Sequence, residues 1–523
     1  MASGKHSRRP ASGRPSAARS RVAGAQGASA ARRKARGSHS AGTAQRPSAL
    51  SRQQKTSNAA LGRTGNAGDM QNANAMGPAA NMGNASNDRS AGSPSTLVSR
   101  RRFLYGAIGV GAVAAVGVGA AAYSSSRNSG SSDVSYLQAP ASALTSLNDL
   151  TALDTYEGSV QSVGEYDIPY GSLVWANDDS VAACLLPTET GSPLTQVGLL
   201  YLTSGRLDTV LSKAVGSSDS FEIYDVRANS EGLVWTEANI LQGTWRVYAA
   251  SLSSEATMGT PQLLEEGDDH YDTPMLAVAG SRAIWLANPK SPRDDNLSAR
   301  LMAAAFSGGE PSCLCESTRR MGTPPYSSDD SVTIAVREDL SSVYYRLTNI
   351  NTTTGQTTDT LTLPRAVAPT EAGYGRTGFM FSLPDIYDYE GAVSNLGTYA
   401  PVSMPSNGDY DNARWFDFAR TPTAAPAWCD DLLIVKSTYA VCGIDLNAGT
   451  YFAIDVENGA DTYGEYLAST GTHDTFVTYT NIDHTPIGEA AIHTCRVKVW
   501  AALTAQERQA YQATQAEQET TEA

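Results

Sequence analysis

The chain has 523 residues, with 53 Asp/Glu against 39 Lys/Arg and 41% apolar side chains. The formal charge of −14 hides a sharp asymmetry. Residues 1–102 hold 18 Lys/Arg against only Asp69 and Asp88, while the remainder holds 21 bases and 51 acids. Residues 1–98 consist largely of Ala, Gly, Ser, Asn and Arg, which excludes a packed core there and predicts a disordered basic tail. The cluster Arg32-Arg33-Lys34-Ala35-Arg36 has the charge to meet anionic lipid or nucleic acid. No aromatic side chain stands between those bases to stack on a nucleobase, so the sequence argues against nucleic acid and for a solvated tail.

Residues 99–123 come next. Ser99-Arg100-Arg101-Arg102-Phe103-Leu104-Tyr105 opens an uncharged stretch, 103–123, interrupted by Gly106, Gly109, Gly111, Gly117 and Gly119. As a helix at ~1.5 Å per residue it spans ~31 Å, about one hydrocarbon core. Arginines on its N-terminal side keep that side in the cytoplasm. Ala120-Ala121-Ala122 fits a small-residue cleavage site. The motif at Ser99, Arg100, Arg101, Phe103 and Leu104 resembles a twin-arginine export signal, with Tyr105 where that family often has Lys. The resemblance implies the twin-arginine translocase as a partner during export. It also implies a chain held in the cell membrane by residues 103–123 with its C-terminal part outside, or secreted after cleavage near Ala122. An ordinary signal anchor flanked by arginines is the alternative.

Residues 124–145 are rich in Ser, Asn, Gly and Ala and are expected to form a flexible linker. From 146 to 502 short apolar runs alternate with turn signals, which predicts one large all-β domain. The strongest signal is a repeat of about fifty residues. Trp175-Ala-Asn-Asp-Asp-Ser-Val and Tyr326-Ser-Ser-Asp-Asp-Ser-Val share one pattern, and Trp428-Cys-Asp-Asp-Leu-Leu-Ile shortens it by a residue. An Asp pair between two β-rich runs reads as a hairpin, because Asp tolerates tight-turn dihedrals and bonds its own backbone. An apolar strand after the turn recurs at Ala183, Trp235, Trp285, Ala335, Phe381, Val435 and Thr478, at intervals of 43 to 54 residues. Third and fourth strands follow many of these. Four strands per unit around an axis predict a β-propeller of about seven blades, with six as the alternative. The last unit runs out of strands, and a spare β-like run at 156–166 precedes the first. The early run is expected to complete the last blade and close the ring. Residues 503–523, rich in Gln, Glu, Ala and Thr, read as a polar tail, a short helix at most.

The segments Thr323-Pro-Pro-Tyr-Ser-Ser-Asp-Asp and Pro426-Ala-Trp-Cys-Asp-Asp resemble degenerate repeats of TolB-type propellers, which are WD-repeat-like in architecture. The resemblance implies a binding role in an envelope complex and carries over no catalytic residue. The tryptophans of the repeat are expected to pack between blades.

The search for chemistry gives three places. No Gly-x-Ser-x-Gly turn is present, which argues against a prolyl-oligopeptidase-like hydrolase. The densest acidic stretch supplies Glu265, Asp268, Asp269 and Asp272, which could meet a hard cation through oxygens or stand as a solvated loop. The fifth unit carries an irregular aromatic and acidic stretch. Its Asp385, Tyr387, Asp388, Tyr389, Asp409, Tyr410, Asp411 and Trp415 are candidate contacts for a protein, peptide or glycan ligand. The competing view makes those aromatics core. No cofactor is implied, and no His/Cys spacing marks a metal site. The six cysteines, all beyond residue 123, allow disulfides in many pairings or buried free thiols. The sequence thus supports an exported propeller that binds or scaffolds in the cell envelope. The alternatives are a polysaccharide lyase or hydrolase using acids of the propeller funnel, or an envelope sensor linked to the inner tail.

Overall fold

The computed structural model describes residues 134–522, apart from 254–256, 292–296, 338–343, 366, 384–396, 406, 419–423, 487 and 489. The twin-arginine motif and the apolar stretch 103–123 lie outside the described residues. Among the described residues no helix is long and apolar enough to cross a membrane.

The fold is an all-β propeller. Six blades are each built from four consecutive antiparallel strands. Blade 1 comprises Leu173–Ala176, Val181–Pro187, Thr195–Tyr201 and Leu207–Leu211. Blade 2 comprises Glu222–Asn229, Gly232–Asn239, Thr244–Ser251 and Gln262–Gly267. Blade 3 comprises Met275–Ala279, Arg282–Ala287, Ala299–Ala305 and Ser312–Ser317. Blade 4 comprises Tyr326–Ser328, Ser331–Arg337, Tyr345–Asn351 and Thr357–Thr362. Blade 5 comprises Glu371–Gly375, Gly378–Leu383, Gly397–Ser403 and Arg414–Asp417, and blade 6 comprises Ala427–Cys429, Leu432–Lys436, Val441–Asp445 and Thr450–Ala453. A further sheet is composite. Tyr466–Leu467, Thr475–His484 and Ile492–Ala502 are completed by the early strand Val160–Ile168, antiparallel to Ile492–Ala502 from Val160 opposite Ala502 to Ile168 opposite Cys495. The expected count of about seven equivalent units therefore resolves into six consecutive-strand blades and one sheet assembled from both ends of the domain.

Each recurrent anchor from Ala183 to Thr478 falls in the second strand of its sheet. These strands are covered on both faces by neighbouring sheets, so they read as nearly continuous apolar runs rather than alternating ones; all eight residues of Gly232–Asn239 are buried. A separate apolar cluster fills each gap between neighbouring sheets. Leu185, Val226 and Trp235 sit between blades 1 and 2, and Ile434, Phe476 and Trp500 between blade 6 and the composite sheet. Trp235, Trp285, Trp415 and Trp500 are among the largest fully buried side chains, as the packing reading of the repeat requires. The turns joining first to second strands hold the Asp pairs. Asp329 and Asp430 take φ of 49° and 52°, a tight-turn conformation that Asp tolerates better than most residues.

Those turns also lace one sheet to the next on a single face. Asp178 Oδ2 accepts from Ser230 N (2.6 Å), Asn229 Nδ2 donates to Gly280 O (2.8 Å), and Gly280 N donates to Asp329 O (3.1 Å). Arg376 pairs with Asp431 (2.6 Å), Asp430 N donates to His473 O (3.1 Å), and Asp179 accepts from Thr475 N (2.9 Å). The hub is occupied as well. Asn177 Nδ2 reaches Ser327 Oγ and Thr470 Oγ1, and Gly471–His473 joins the inner edge of blade 6 as a parallel strand.

The expected flexible linker gives way from residue 134 to a belt along the outer edges. Leu137 N donates to Thr362 O of blade 4, Leu144–Ser146 pairs in parallel with the outer strand of blade 5, and Thr151–Ala152 with that of blade 6. Leu137 and Ala139 are buried, and Leu147 and Leu150 pack on the core between blades 5 and 6. Within the polar C-terminal residues, Ala505–Glu522 forms an 18-residue helix. Thr504 and Glu507 start it with reciprocal bonds, Thr504 N to Glu507 Oε2 at 2.8 Å and Glu507 N to Thr504 Oγ1 at 3.3 Å, which satisfy two otherwise orphaned N–H groups.

Candidate functional site

The irregular loop of the fifth unit does border a cleft, though with different residues from those the sequence singled out. A cleft of about 600 Å³ opens between blades 4 and 5, on the face that carries the Asp-pair turns. Thr358 and Asp359 come from the outer strand of blade 4, Tyr374 and Arg376 from the first strand and turn of blade 5, and Met404 and Asn407 from the long loop after its third strand. The propeller register explains the meeting, because the outer strand of one blade flanks the first hairpin of the next.

Asp359 is the centre of this cleft. Its Oδ2 accepts from the Tyr374 hydroxyl at 2.9 Å and from the Tyr410 hydroxyl, while Oδ1 accepts from Thr360 N at 2.8 Å. Burial, and then the Asp359 charge, push the Tyr374 phenol up to about 12; the same causes raise Tyr410. Both phenols therefore stay protonated donors at neutral pH. Arg376, half exposed, stands at the mouth between the cleft and Asp430 and Asp431 of blade 6. Gly378 makes the arrangement sterically feasible. Its φ is 101°, and a Cβ there would lie 2.6 Å from the Tyr410 hydroxyl. A carboxylate with spare lone-pair capacity, a guanidinium and the Asn407 amide suit a ligand bearing hydroxyl and carbonyl groups.

Of the eight ligand candidates, Asp385, Tyr387, Asp388 and Tyr389 lie outside the described residues. Tyr410 contributes its hydroxyl, but its ring is buried against Phe379 and Trp415. Trp415 is fully buried and serves the core, as the competing view had it. Asp409 caps the short turn Tyr410–Asn412, and Asp411 Oδ1 accepts from Gln138 N of the belt at 2.6 Å. These two acids are thus engaged at the outer edge rather than converging on the hub. Sequence reasoning missed Asp359, Tyr374 and Arg376. Only the blade register, which sets one unit's last strand beside the next unit's first hairpin, could have pointed to them.

The acidic stretch divides. Glu265 accepts from Trp285 Nε1 and from Arg300 Nη2 (3.0 Å), and Asp272 pairs with Arg320 (2.6 Å). Asp268, Asp269 and His270 form an exposed group whose ligand atoms lie within 4.8 Å of one another. The His270 backbone N–H and ring hold the Asp268 carboxyl below its usual range. All six cysteines are free thiols. Cys184 and Cys495 share the core between blade 1 and the composite sheet, and burial pushes the Cys184 thiol up to about 12.

Comparison with protein-family models and with curated proteins finds no match. Solved structures with a similar chain include puromycin hydrolase, at 13% identity and a TM-score of 0.37, over 59% of this chain and 50% of that one. The propeller domain of the trilobed protease from Pyrococcus furiosus matches at 11% identity and 0.34, over 52% and 83%. The WD40 domain of SCAP from fission yeast matches at 10% and 0.34, over 66% and 98%. This chain spans about half the length of puromycin hydrolase. At these identities and scores the likeness assigns neither ligand nor reaction.

Proposed function

We propose that this chain is a ligand-binding propeller that works outside the cytoplasm, with the cleft between blades 4 and 5 as its binding site for a hydroxyl-rich ligand, a glycan before a peptide. The observation that carries this reading is Asp359, held by two protonated tyrosine hydroxyls beside Arg376 in an open cleft. A carboxylate fixed in this way spends nothing on reorganisation when a sugar diol approaches, and the neighbouring guanidinium supplies complementary donors. The twin-arginine-like motif at Ser99–Leu104 and the apolar stretch 103–123 support export, with the translocase as a transient partner and a cell-membrane or secreted destination. Six free thiols suit a chain that folds in a reducing compartment before it crosses. In this reading the composite sheet acts as a seventh blade that clasps the ring. The TolB-type kinship would rest on the turn segments around Tyr326 and Trp428.

The test is a thermal-shift titration of the full chain with a panel of envelope oligosaccharides and short peptides. One glycan class should raise the melting temperature of the native chain, and Asp359→Asn and Tyr374→Phe should each remove the shift. No shift with any member, or shifts that survive both substitutions, would end the assignment of the cleft. Fractionation of a C-terminally tagged chain in cells with and without a working twin-arginine translocase tests the compartment separately.

A further inference from the structure

Both faces of the propeller carry acids, with Asp268 and Asp269 beside the blade 2 hairpin, but they differ in exposed aliphatic side chains. On one, the turns between first and second strands present Asp178, Asp179, Asp329, Asp330, Asp430 and Asp431. Because neighbouring strands are antiparallel, the turns between second and third strands emerge on the other face. There the hairpin of blade 2, between Gly232–Asn239 and Thr244–Ser251, carries Ile240 at 71% and Leu241 at 93% exposure. Its tip is a built turn. Gly243 N donates to Asn239 O at 2.9 Å, Gly243 takes φ of 71°, and the buried Asn239 anchors the turn by donating from Nδ2 to Asp219 O at 3.1 Å. Leu194 and Val215, both on connections of the same face, are also exposed.

The belt begins on this face too. Leu137 N meets Thr362 O at the end of the last strand of blade 4, opposite Arg346 at the start of the third strand, which is the end where second-to-third turns emerge. Eleven chain steps separate Val134 from Tyr123, the last residue of the apolar stretch. They reach at most roughly 35–40 Å when fully extended. In a chain anchored by 103–123 the tether therefore enters the domain on the hairpin's face and confines that face to within this reach of the bilayer.

We propose that the Ile240–Leu241 hairpin tip is a membrane contact that inserts into the lipid interface and sets the propeller's orientation. This rests on the reading that residues 103–123 stay in the membrane. Two aliphatic side chains at the apex of a fixed turn bury apolar area in lipid without unfolding anything, and a tether that already confines the domain makes even a small gain decisive.

The test uses the full chain reconstituted in zwitterionic phosphatidylcholine vesicles, with Cys313→Ser and Cys315→Ser removing the accessible thiols of blade 3. An environment-sensitive dye is placed by Leu241→Cys or, on the opposite face, by Ala448→Cys. Nitroxide-labelled lipid should quench the dye at 241 several-fold more than at 448, and aqueous iodide should do the reverse. Equal quenching at both sites overturns the proposal. A dye at 241 that is shielded from iodide yet untouched by lipid nitroxide means that the tip docks on protein, which overturns it as well. Failure of the chain to float with the vesicles removes the anchor itself and the hairpin contact with it, whereas flotation without quenching at 241 removes the hairpin contact alone.

Discussion

Asn177 and Ser327 stand 150 residues apart and meet at the hub, Nδ2 to Oγ at 3.1 Å. The same nitrogen reaches Thr470 Oγ1 at 2.9 Å, so one amide of blade 1 ties blade 4 to the segment that leads into the composite sheet. Replacing Asn177 by Ala removes both bonds and leaves two hydroxyls facing a small void. The expected loss is about 1–3 kcal/mol, read as a lower urea midpoint with an unchanged slope. A variant as stable as the native chain would mean that the hub bonds contribute nothing.

Leu137 is 2% exposed although it lies only fourteen residues beyond the apolar stretch. It fills the core between blades 4 and 5 with Leu363 and Tyr410. Leu137→Ala should cost about 2–4 kcal/mol, whereas Leu241→Ala, at an exposed tip, should leave the urea midpoint of the chain in detergent unchanged. Measuring the pair separates a structural belt from a passive spacer.

Gly378 is the residue the cleft tolerates least in altered form. At φ of 101° an Ala is strained, and its Cβ would collide with the Tyr410 hydroxyl. Gly378→Ala should destabilise by about 1–3 kcal/mol. It should also displace Tyr410 from Asp359, visible as loss of the glycan-induced thermal shift in whatever fraction remains folded.

Glu371 opens the first strand of blade 5 and is buried; desolvation raises its carboxyl from 4.5 to about 8. A group protonated in the folded state and ionised in the unfolded one contributes stability that is complete below pH 4.5 and is lost as pH rises toward 8. Glu371→Gln should therefore flatten the pH dependence of the urea midpoint across that window and be more stable than the native chain at its upper end. A native-minus-variant difference that does not change with pH would show that the carboxyl is not buried in this way.

The architecture was legible where the physics is local and repeated. Trp235, Trp285 and Phe381 sit in apolar runs after turn signals, and each lies in the second strand of its sheet. The β-like run at 156–166 is the strand Val160–Ile168, and its distant partner was inferred because an unfinished sheet at one end needs an unclaimed strand at the other. The belt was not legible. Leu137, Leu144, Leu147 and Leu150 follow no strand alternation, and Leu144–Ser146 and Thr151–Ala152 pair in parallel with edges that exist only after the blades have formed. The terminal helix had its signal in Thr504 and Glu507, a capping pair overshadowed by the polar composition around it. Asp359 was hidden for another reason. An acid among threonines on an outer strand has no local mark, and its meaning comes from Tyr374 and Tyr410 on the neighbouring blade.

The clasp between Val160–Ile168 and Ile492–Ala502 has a consequence for biosynthesis. Val160–Ile168 leaves the ribosome early and waits, an unpaired edge, until its distant partner Ile492–Ala502 has been translated. Such a high contact order makes ring closure the slow, late event of folding, and the waiting edge is open meanwhile to pairing with another nascent chain. A holding factor acting on the emerging N-terminal strand would protect yield more than any change within the six blades that close by themselves.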